Sequence, residues 1–222
     1  MSQIIEETSM EAWLGIVDEV IKNGKEFKDG NGRVFKQILN NNLIILNPKQ
    51  DISKPINIIS RSEKWLYPTI DEIKRIFLKK ETVPTYEYTY GQRLFNFNDQ
   101  INQIDNFVIP YFKDKIKKNS RRLFVSTWNP IKDSKYGTDH EIPGIVGIWF
   151  KLVENKITAT VIIRNNDCFV GFPANLYQIH ILQKYISEKT GFETGRIVIY
   201  SLSMHIYMDH LDDIKLLIGN HF

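Results

Sequence analysis

The sequence predicts an α+β fold in which helices cover one side of a mixed sheet. Two apolar runs, Ile145 to Val153 and Ile157 to Arg164, are joined by Glu154-Asn155-Lys156, a pattern that indicates a β-hairpin. Apolar residues at helical spacing in residues 9–22, and again from Leu176 to Ile186, indicate two helices that each bury one face. Strands and helices in this mixture are typical of α+β domains.

Local signals place the elements of the first half of the chain. Residues 9–22 form an amphipathic helix, and the polar, glycine-containing segment Asn23 to Arg33 is predicted to be a mobile loop. Ile38 to Leu46 is predicted to be a strand. Thr69 and Glu72 form a capping-box pattern, which predicts a second helix directly after Thr69.

The second half carries more strand. A third helix is predicted around Ile101 to Val108, with Pro110 expected to kink or end it. The long helix that contains Leu176 is predicted to end at Gly191. The remaining predicted elements are strands at Leu123 to Thr127 and Arg196 to Leu202, and a final helix at Leu211 to Ile218.

Composition indicates one ordinary soluble domain spanning residues 1–222, with 42% hydrophobic and 25% charged residues. The net charge of +3 is too small to indicate binding of a nucleic-acid polymer. The single Cys excludes an intrachain disulfide and fits a reducing compartment. Neither a signal-peptide pattern nor an apolar run near the ~20 residues of a membrane span is present. We therefore expect a cytoplasmic protein without a membrane partner.

The polar stretch from Arg164 to Asn175 follows a predicted strand and precedes a predicted helix. Strand ends of this kind are where proteins with sheets and helices usually hold ligands. Three further clusters carry chemical groups: Tyr88 to Arg93, Ser120-Arg121-Arg122 and Ser203 to His210. Two adjacent guanidinium groups suit a phosphate. Zinc-ligand spacings, phosphate-loop glycines and serine-hydrolase elbows are absent.

Taken in order and spacing, these segments resemble the thymidylate synthase family, including its nucleotide hydroxymethylase branch. The resemblance runs from about Met10 to Leu211. It implies an obligate homodimer whose two sheets pack back to back, a nucleoside monophosphate substrate and 5,10-methylenetetrahydrofolate as one-carbon donor. The segments that carry it are Tyr90-Gly91, Asp99-Gln100-Ile101, Ser120 to Pro130, Arg164 to Asn175 and His205-Ile206-Tyr207.

The resemblance also implies roles for the residues that bind the nucleotide. Arg164 would hold the phosphate, with Arg121 and Arg122 donated across the dimer interface. Asn165 stands where the family has a phosphate-binding Ser, and its amide can still donate a hydrogen bond. His205 and Tyr207 would bind the sugar hydroxyl. Arg33 and Lys28 are both candidates for the family's phosphate-binding loop arginine.

The catalytic residues that the resemblance implies are Tyr90, Asp167 and Asn175. Asn175 would pair with the pyrimidine edge, and an Asn there favours uracil over cytosine. Asp167 and Gly171 would meet the folate pterin, and Tyr90 would lie near the proton that is removed. Glu63 is a candidate for the family's catalytic Glu.

One departure affects the chemistry. Counting back from Arg164 without a gap places Gly144 at the family's nucleophilic Cys and Ile145 at the usual His. In the family the thiolate adds to C6 of the pyrimidine, which makes C5 nucleophilic. Cys168 is no substitute, because it follows Asp167 on an extended segment and should face away from the pocket as a buried hydrophobe.

Two hypotheses of different class follow. In the first, the protein is a divergent one-carbon transferase, acting on a nucleotide that is electron-rich enough to react without thiolate help. In the second, it is a non-catalytic nucleotide-binding homodimer of the same fold. Retention of Tyr90, Asp167 and Asn175 together favours the enzyme, because a phosphate binder needs none of them.

Overall fold

The computed structural model of the protein describes residues 2–62, 64–65, 67–81, 83–84, 86–135 and 141–219. The strands of its sheet are β1 (Gln3–Glu6), β2 (Lys25–Lys28), β3 (Val34–Ile45), β4 (Phe124–Ser126), β5 (Ile145–Val153), β6 (Lys156–Asp167) and β7 (Glu193–Tyr207). Their order is β1-β3-β7-β6-β5-β4, and β2 pairs with the first residues of β3, Val34 to Gln37. The pairs β1/β3 and β6/β7 are parallel and the others antiparallel, so the sheet is mixed as predicted.

Helices pack against one face of this sheet, which confirms the α+β prediction. Two of them, α1 and α7, contact each other and lie over the central strands β3, β6 and β7. The α-helices are α1 (Ser9–Asn23), α2 (Lys54–Ile59), α3 (Ile70–Phe77), α4 (Tyr90–Phe95), α5 (Ile109–Lys113), α6 (Pro130–Asp133), α7 (Gly171–Thr190) and α8 (Leu211–Ile218). Single turns of 3-10 helix at Pro48–Gln50 and Met208–His210, and a π-helix at Ile104–Val108, complete the set of described helical segments.

Capping boxes begin α1 and α3. The Thr8 hydroxyl accepts the Glu11 N–H at 3.3 Å, and the Glu11 carboxylate accepts the Thr8 N–H at 3.0 Å. Thr69 and Glu72 do the same for α3, as the sequence predicts. Each box satisfies helix N–H groups that would otherwise lack partners. The apolar side chains that α1 buries are Ala12, Trp13, Ile16, Val17 and Val20.

Two tight turns confirm predictions made from local sequence. Glu154 and Asn155, with φ of 53° and 60°, join β5 to β6 in the positive-φ conformation that two-residue hairpins favour. Gly191, with φ of 80°, ends α7 and donates its N–H to the Ser187 carbonyl at 2.8 Å. A left-handed glycine is the common way to end a helix.

The prediction of a loop from Asn23 to Arg33 is wrong for Lys25–Lys28, which form β2. This strand pairs antiparallel with β3, and the Phe27 and Phe35 rings stack across the pair with centroids 5.9 Å apart. Cross-strand aromatic pairs stabilise such edge strands. Asn23 belongs to α1, so the irregular residues of the predicted loop are Gly24 and the turn from Asp29 to Arg33.

The third helix also differs from its prediction. It begins as the π-helix at Ile104–Val108 and continues as α5, with Pro110 inside the first turn of α5. The Val108 N–H donates to the Gln103 carbonyl five residues back at 3.1 Å. Because proline lacks an N–H and clashes with the carbonyl four residues before it, the wider π turn lets the chain continue past Pro110.

The pairing of the three central strands is interrupted near one end of the sheet. The interruption lies at Asn40 of β3, Arg164 of β6 and Leu202 of β7, and Asn40 has φ of 54°. Across it the buried residues of β7 change from odd-numbered to even-numbered positions. His205 and Tyr207 therefore lie on the less buried face of β7, on one side of the strand as predicted.

The face of the sheet away from the helices carries apolar side chains as well. A row of directly paired residues crosses it from edge to edge: Ile5, Ile44, Val198, Thr160, Trp149 and Phe124. Ile5 is 53% exposed and Phe124 is 47% exposed. Among the described residues, no helix is long and apolar enough to cross a membrane.

One buried amide connects β6 to β7 at the far end of the sheet. Gln183 of α7 is fully buried, and its Nε2 donates to the carbonyls of Ile157 at 2.7 Å and Arg196 at 3.2 Å. The register of the two strands shifts between Ile157 and Ala159. The amide thus satisfies carbonyls that the irregular ladder leaves open.

Replacing this amide should destabilise the fold. Gln183→Leu keeps the volume but leaves buried carbonyls without donors, so we expect the free energy of unfolding to fall by about 2 kcal/mol. Urea denaturation measures this. Glu188→Gln, an exposed change on the same helix, should stay within about 0.5 kcal/mol of the wild-type value. Equal stability of the two variants would contradict the bridging role of Gln183.

Candidate active site

The turn from β6 into α7 is built around Asp167. Its Oδ1 accepts the backbone N–H groups of Phe169 at 2.9 Å and Val170 at 3.0 Å, so Asp167 closes an Asx turn just before the helix. A carboxylate at a helix N-terminus is also favoured by the helix dipole. At Gly171 an added Cβ would lie 3.4 Å from the Asp167 Cβ, so glycine keeps the approach to the carboxylate open.

Asn175 lies one turn into α7 and is oriented by a residue that sequence reasoning missed. Its Nδ2 donates to Oδ1 of Asn166 at 3.3 Å, and Asn166 in turn donates to Oγ of Ser201 at 3.2 Å. Asn166 and Ser201 are fully buried. Buried polar groups of this kind fix the geometry of the group they bond, here the amide of Asn175. A polar residue on the buried side of an apolar strand was the available signal.

Arg164, Gly144 and Tyr90 lie side by side, although they come from β6, the start of β5 and α4. The Arg164 N–H donates to the Gly144 carbonyl at 2.8 Å, and the Ile145 N–H donates to Tyr90 Oη at 3.0 Å. A Cβ added to Gly144 would lie 3.4 Å from Tyr90 Oη. The position expected for the nucleophile therefore does lie beside the phosphate-binding candidate and the candidate catalytic tyrosine.

The Arg164 guanidinium has an N–H donor without a partner among the described residues. Its Nη2 lies 3.5 Å from the Ile142 carbonyl, and its Nε is buried without a hydrogen-bond partner among the described residues. This guanidinium N–H is therefore available to bind a hydrogen-bond acceptor. Asn165 next to it is exposed.

Burial governs the ionisation of Tyr90. It raises the pKa of the Tyr90 phenol, against the opposing effects of hydrogen bonds from the Ile145 N–H and the Tyr88 hydroxyl and of the Arg164 charge. Burial likewise raises the pKa of Tyr88, whose ring packs edge-on to Tyr90 at 5.6 Å. Both groups are neutral phenols at pH 7. Tyr88 was noted in the sequence only as part of a cluster.

His205 and Tyr207 end β7 next to this turn. Asp167 pairs with His205 across the parallel ladder, and the His205 and Tyr207 rings meet edge to face at 5.5 Å. Burial lowers the pKa of His205, and the charge of Asp167 partly opposes this shift. The imidazole is therefore neutral at pH 7 and can donate and accept hydrogen bonds.

Of the two cations considered for the phosphate-binding loop, Arg33 lies at the site. Its guanidinium stacks on the Tyr207 ring, 3.7 Å from the centroid, and bonds Asp209 through two nitrogens at 3.1 and 2.9 Å. Lys28 instead ends β2 and is exposed. Glu63 lies outside the described residues.

Two aromatic residues support the β6–α7 turn from the core, and sequence reasoning assigned neither to the site. Trp13 of α1 donates its indole N–H to the carbonyls of Cys168 at 3.0 Å and Phe169 at 3.2 Å. The Tyr67 hydroxyl donates to the Val170 carbonyl at 2.8 Å. These contacts come from distant parts of the chain, so local sequence carries no signal for them.

Cys168 is fully buried, as expected for a hydrophobe facing away from the pocket. Its backbone N–H donates to the His205 carbonyl at 2.9 Å. Burial, with a smaller contribution from the Asp167 charge, raises the pKa of the thiol well above its usual value. A buried thiol that resists ionisation is a poor nucleophile.

Arg121 and Arg122 are not brought to Arg164 within one chain. Both are exposed and precede β4, and β5 separates that edge strand from β6. The Arg121 carbonyl accepts the indole N–H of Trp149 at 3.0 Å, on the face of the sheet that helices leave open. Their guanidinium groups are therefore available to another molecule.

A cavity of about 360 Å³ adjoins Tyr90. Apolar and phenolic side chains dominate it, and its volume is within the range of small-molecule sites. It is lined by Pro68, Ile73, Ile76, Phe77, Tyr86, Tyr88, Thr89, Tyr90, Glu141 and Gln178. Within the part of the chain that the structure describes, no three His, Cys, Asp or Glu side chains are grouped as metal ligands.

Comparison with known proteins identifies the family. A family model described as "Thymidylate synthase" matches residues 34–221. The chain belongs to the thymidylate synthase family. Members of this family transfer a one-carbon unit from methylenetetrahydrofolate to a nucleotide, and they are typically dimeric. The resemblance drawn from the sequence is thus confirmed.

Relatives cover most of this thymidylate synthase-like chain. A protein of Methanosarcina mazei named "Putative thymidylate synthase" is 32% identical over 202 residues, 90% of this chain and 86% of its own length. One of the same name in Methanocaldococcus jannaschii is 31% identical over 202 residues, 87% and 85% of the two chains. "Thymidylate synthase 1" of Bacillus spizizenii is 30% identical over 135 residues, 59% of this chain and 45% of its own.

Proposed function

We propose that this protein transfers a methyl or hydroxymethyl unit from methylenetetrahydrofolate to a nucleoside 5′-monophosphate, without a cysteine nucleophile, in a specialised nucleotide pathway. The observation that carries the proposal is that Arg164, beside Gly144, and Asp167 and Asn175, at the turn from β6 into α7, are each held in a defined position. Each of the three is held by a defined bond of its own backbone or side chain.

The nucleotide phosphate would be held by Arg164, whose Nε lacks a partner among the described residues, and by the amide of Asn165. Charge-assisted hydrogen bonds to phosphate are the strong ones, so they would supply most of the binding and position the ring. His205 and Tyr207 would bind the sugar hydroxyl. Asn175 would then orient the base and stabilise charge on its exocyclic oxygen.

The residues present also fit a pterin. Both described hydrogen bonds to Asp167 end on Oδ1, so the carboxylate is fixed and presents Oδ2 to the N–H donors of a ring. Gly171 has no side chain that would fill the space beside the Asp167 Cβ, so a flat ring could approach there. When bound, the folate would supply the one-carbon unit. Asp167 and Gly171 would hold its pterin.

Removal of the proton from the alkylated carbon would involve Tyr90 or a water near Asp167. Burial raises the pKa of Tyr90, so the phenol remains protonated at neutral pH. A protonated phenol cannot itself accept the proton as a base. The water near Asp167 would therefore take the proton and pass it to the Asp167 carboxylate.

The open face of the sheet would be covered by a second copy of the chain. Its row of paired residues from Ile5 to Phe124, apolar except for Thr160, crosses six strands, and exposed apolar patches of this kind mark interaction sites. A symmetric pair of chains would pack the sheets back to back. Arg121 and Arg122, exposed at the edge of this face, would then reach the phosphate site of the partner.

The alternative is a non-catalytic nucleotide-binding homodimer of the same fold. Gly144 favours it, since glycine cannot attack a ring carbon. This protein would retain the phosphate site and lack turnover with any one-carbon donor.

The proposed reaction can be tested by mass spectrometry of nucleoside monophosphates incubated with the protein and methylenetetrahydrofolate. We expect a methyl or hydroxymethyl mass gain on one nucleotide. Arg164→Ala should raise KM for the nucleotide at least about tenfold with little change in kcat, because it removes bonds made to the bound phosphate. Asp167→Ala should chiefly lower kcat.

Arg75→Ala is the matched control, an exposed arginine on α3 whose loss should leave both constants unchanged. An absence of product with every nucleotide, combined with a nucleotide-dependent rise in melting temperature, would support the non-catalytic alternative. A turnover number that Asp167→Ala leaves unchanged would remove Asp167 from the mechanism.

A mixing experiment tests the dimer and the shared phosphate site together. Arg164→Ala chains co-expressed with Arg121→Ala/Arg122→Ala chains should regain about a quarter of the wild-type nucleotide sites, because half of random dimers are mixed and each contains one intact site. Calorimetric titration counts the sites.

Adding Val198→Asp to both chains should abolish the recovery, since it places a charge in the middle of the apolar row. Leu216→Asp, on an 81% exposed position of α8, should not. If each variant alone bound nucleotide as the mixture does, the arginines would not act across an interface.

A further inference from the structure

The atoms nearest to the space beside Gly144 are oxygen atoms. A Cβ built on Gly144 would have three nearest neighbours: Tyr90 Oη at 3.4 Å, the Asn165 carbonyl oxygen at 3.5 Å and Asn165 Oδ1 at 3.8 Å. Carbonyl and amide oxygens can only accept hydrogen bonds, and a phenol oxygen can accept as well as donate. The vacated position is therefore suited to a hydrogen-bond donor.

The backbone does not explain the glycine. The described glycines with positive φ are Gly32, Gly191 and Gly219, so Gly144 has a conformation that other residues adopt. The distances of 3.4 and 3.5 Å are ordinary contacts, so a small side chain would fit without displacing its neighbours. By contrast, a Cβ on Gly147 would lie 2.3 Å from the Phe124 ring. A side chain at position 147 would have to displace the Phe124 ring, whereas one at position 144 would displace nothing.

We propose that Gly144 is a specificity-determining residue: its missing side chain accommodates an amino substituent on the ring carbon that a thiolate would otherwise attack. This inference rests on the proposed function and names its substrate class, a nucleoside monophosphate with an aminated ring. Relative to cysteine, glycine lacks two heavy atoms, Cβ and Sγ. An amino group is one heavy atom and brings the N–H donors that the oxygens of Asn165 accept.

An amino substituent at this carbon also compensates for the missing nucleophile. The nitrogen lone pair conjugates with the adjacent ring double bond, so electron density rises on the neighbouring carbon, as in an enamine. A thiolate achieves the same increase by adding to the ring. Loss of the cysteine and accommodation of the amino group are then two aspects of one change. The phosphate site at Arg164 needs no alteration.

The test is calorimetric binding of three ligands to the full-length protein: UMP, 6-amino-UMP and 6-methyl-UMP. The methyl and amino groups are similar in size, so the difference between the last two reports the hydrogen-bond donor. We expect 6-amino-UMP to bind about tenfold more tightly than 6-methyl-UMP and UMP, since that ratio corresponds to one or two hydrogen bonds made to neutral acceptors.

Gly144→Ala should remove the preference, because the added methyl group occupies the space of the substituent while UMP still binds at Arg164. Gly15→Ala, which adds a methyl group on α1, is the control and should retain the preference. Binding of all three ligands with equal affinity would overturn the inference and leave the proposed nucleotide site intact. Binding of none would overturn both.

Discussion

The parallel pairing of β6 with β7, connected through α7, is the constraint on which the rest of the structure depends. It brings Asp167 beside His205 at one end of the sheet. At the other end the same helix places Gln183 across the two strands, where its amide donates to carbonyls of both. Because one helix fixes both ends, the site is held by the core and not by a flexible loop. The indole of Trp13 extends this support to α1.

The residues proposed to bind the nucleotide are positioned almost independently of residue 144. Arg164 and Asn175 are oriented by bonds that do not involve residue 144, apart from one backbone bond that any residue there could make. Under the proposed function, the phosphate and base contacts would therefore remain with glycine at the position that the resemblance assigns to the cysteine. The oxygen atoms nearest to Gly144 would then favour a substrate that carries a hydrogen-bond donor there. This is the sense in which the proposed reaction and the proposed substrate class belong together.

Much of the candidate site could be predicted because its residues lie close together in the sequence. The stretch from Arg164 to Asn175 is continuous in sequence, and strand alternation alone places His205 and Tyr207 on one side. What sequence reasoning missed depends on distant partners: Asn166 is held by Ser201, 35 residues away. Likewise, the strand Lys25–Lys28 depends on an aromatic pair with β3, and a π turn lets the helix continue past its proline. The edge strand and the π turn leave no signal in their own neighbourhoods, whereas Asn166 left one, a polar residue on the buried side of an apolar strand.

The central claim is that the chemistry of this site needs no thiol, and the cysteine-free protein tests it most directly. Cys168 is the single Cys of the chain, so Cys168→Ala removes every thiol. The account predicts that this variant forms the mass-shifted nucleotide at the wild-type rate, measured by mass spectrometry in the presence of methylenetetrahydrofolate. A folded Cys168→Ala protein that binds nucleotide but forms no product, while the wild type does, would contradict the account.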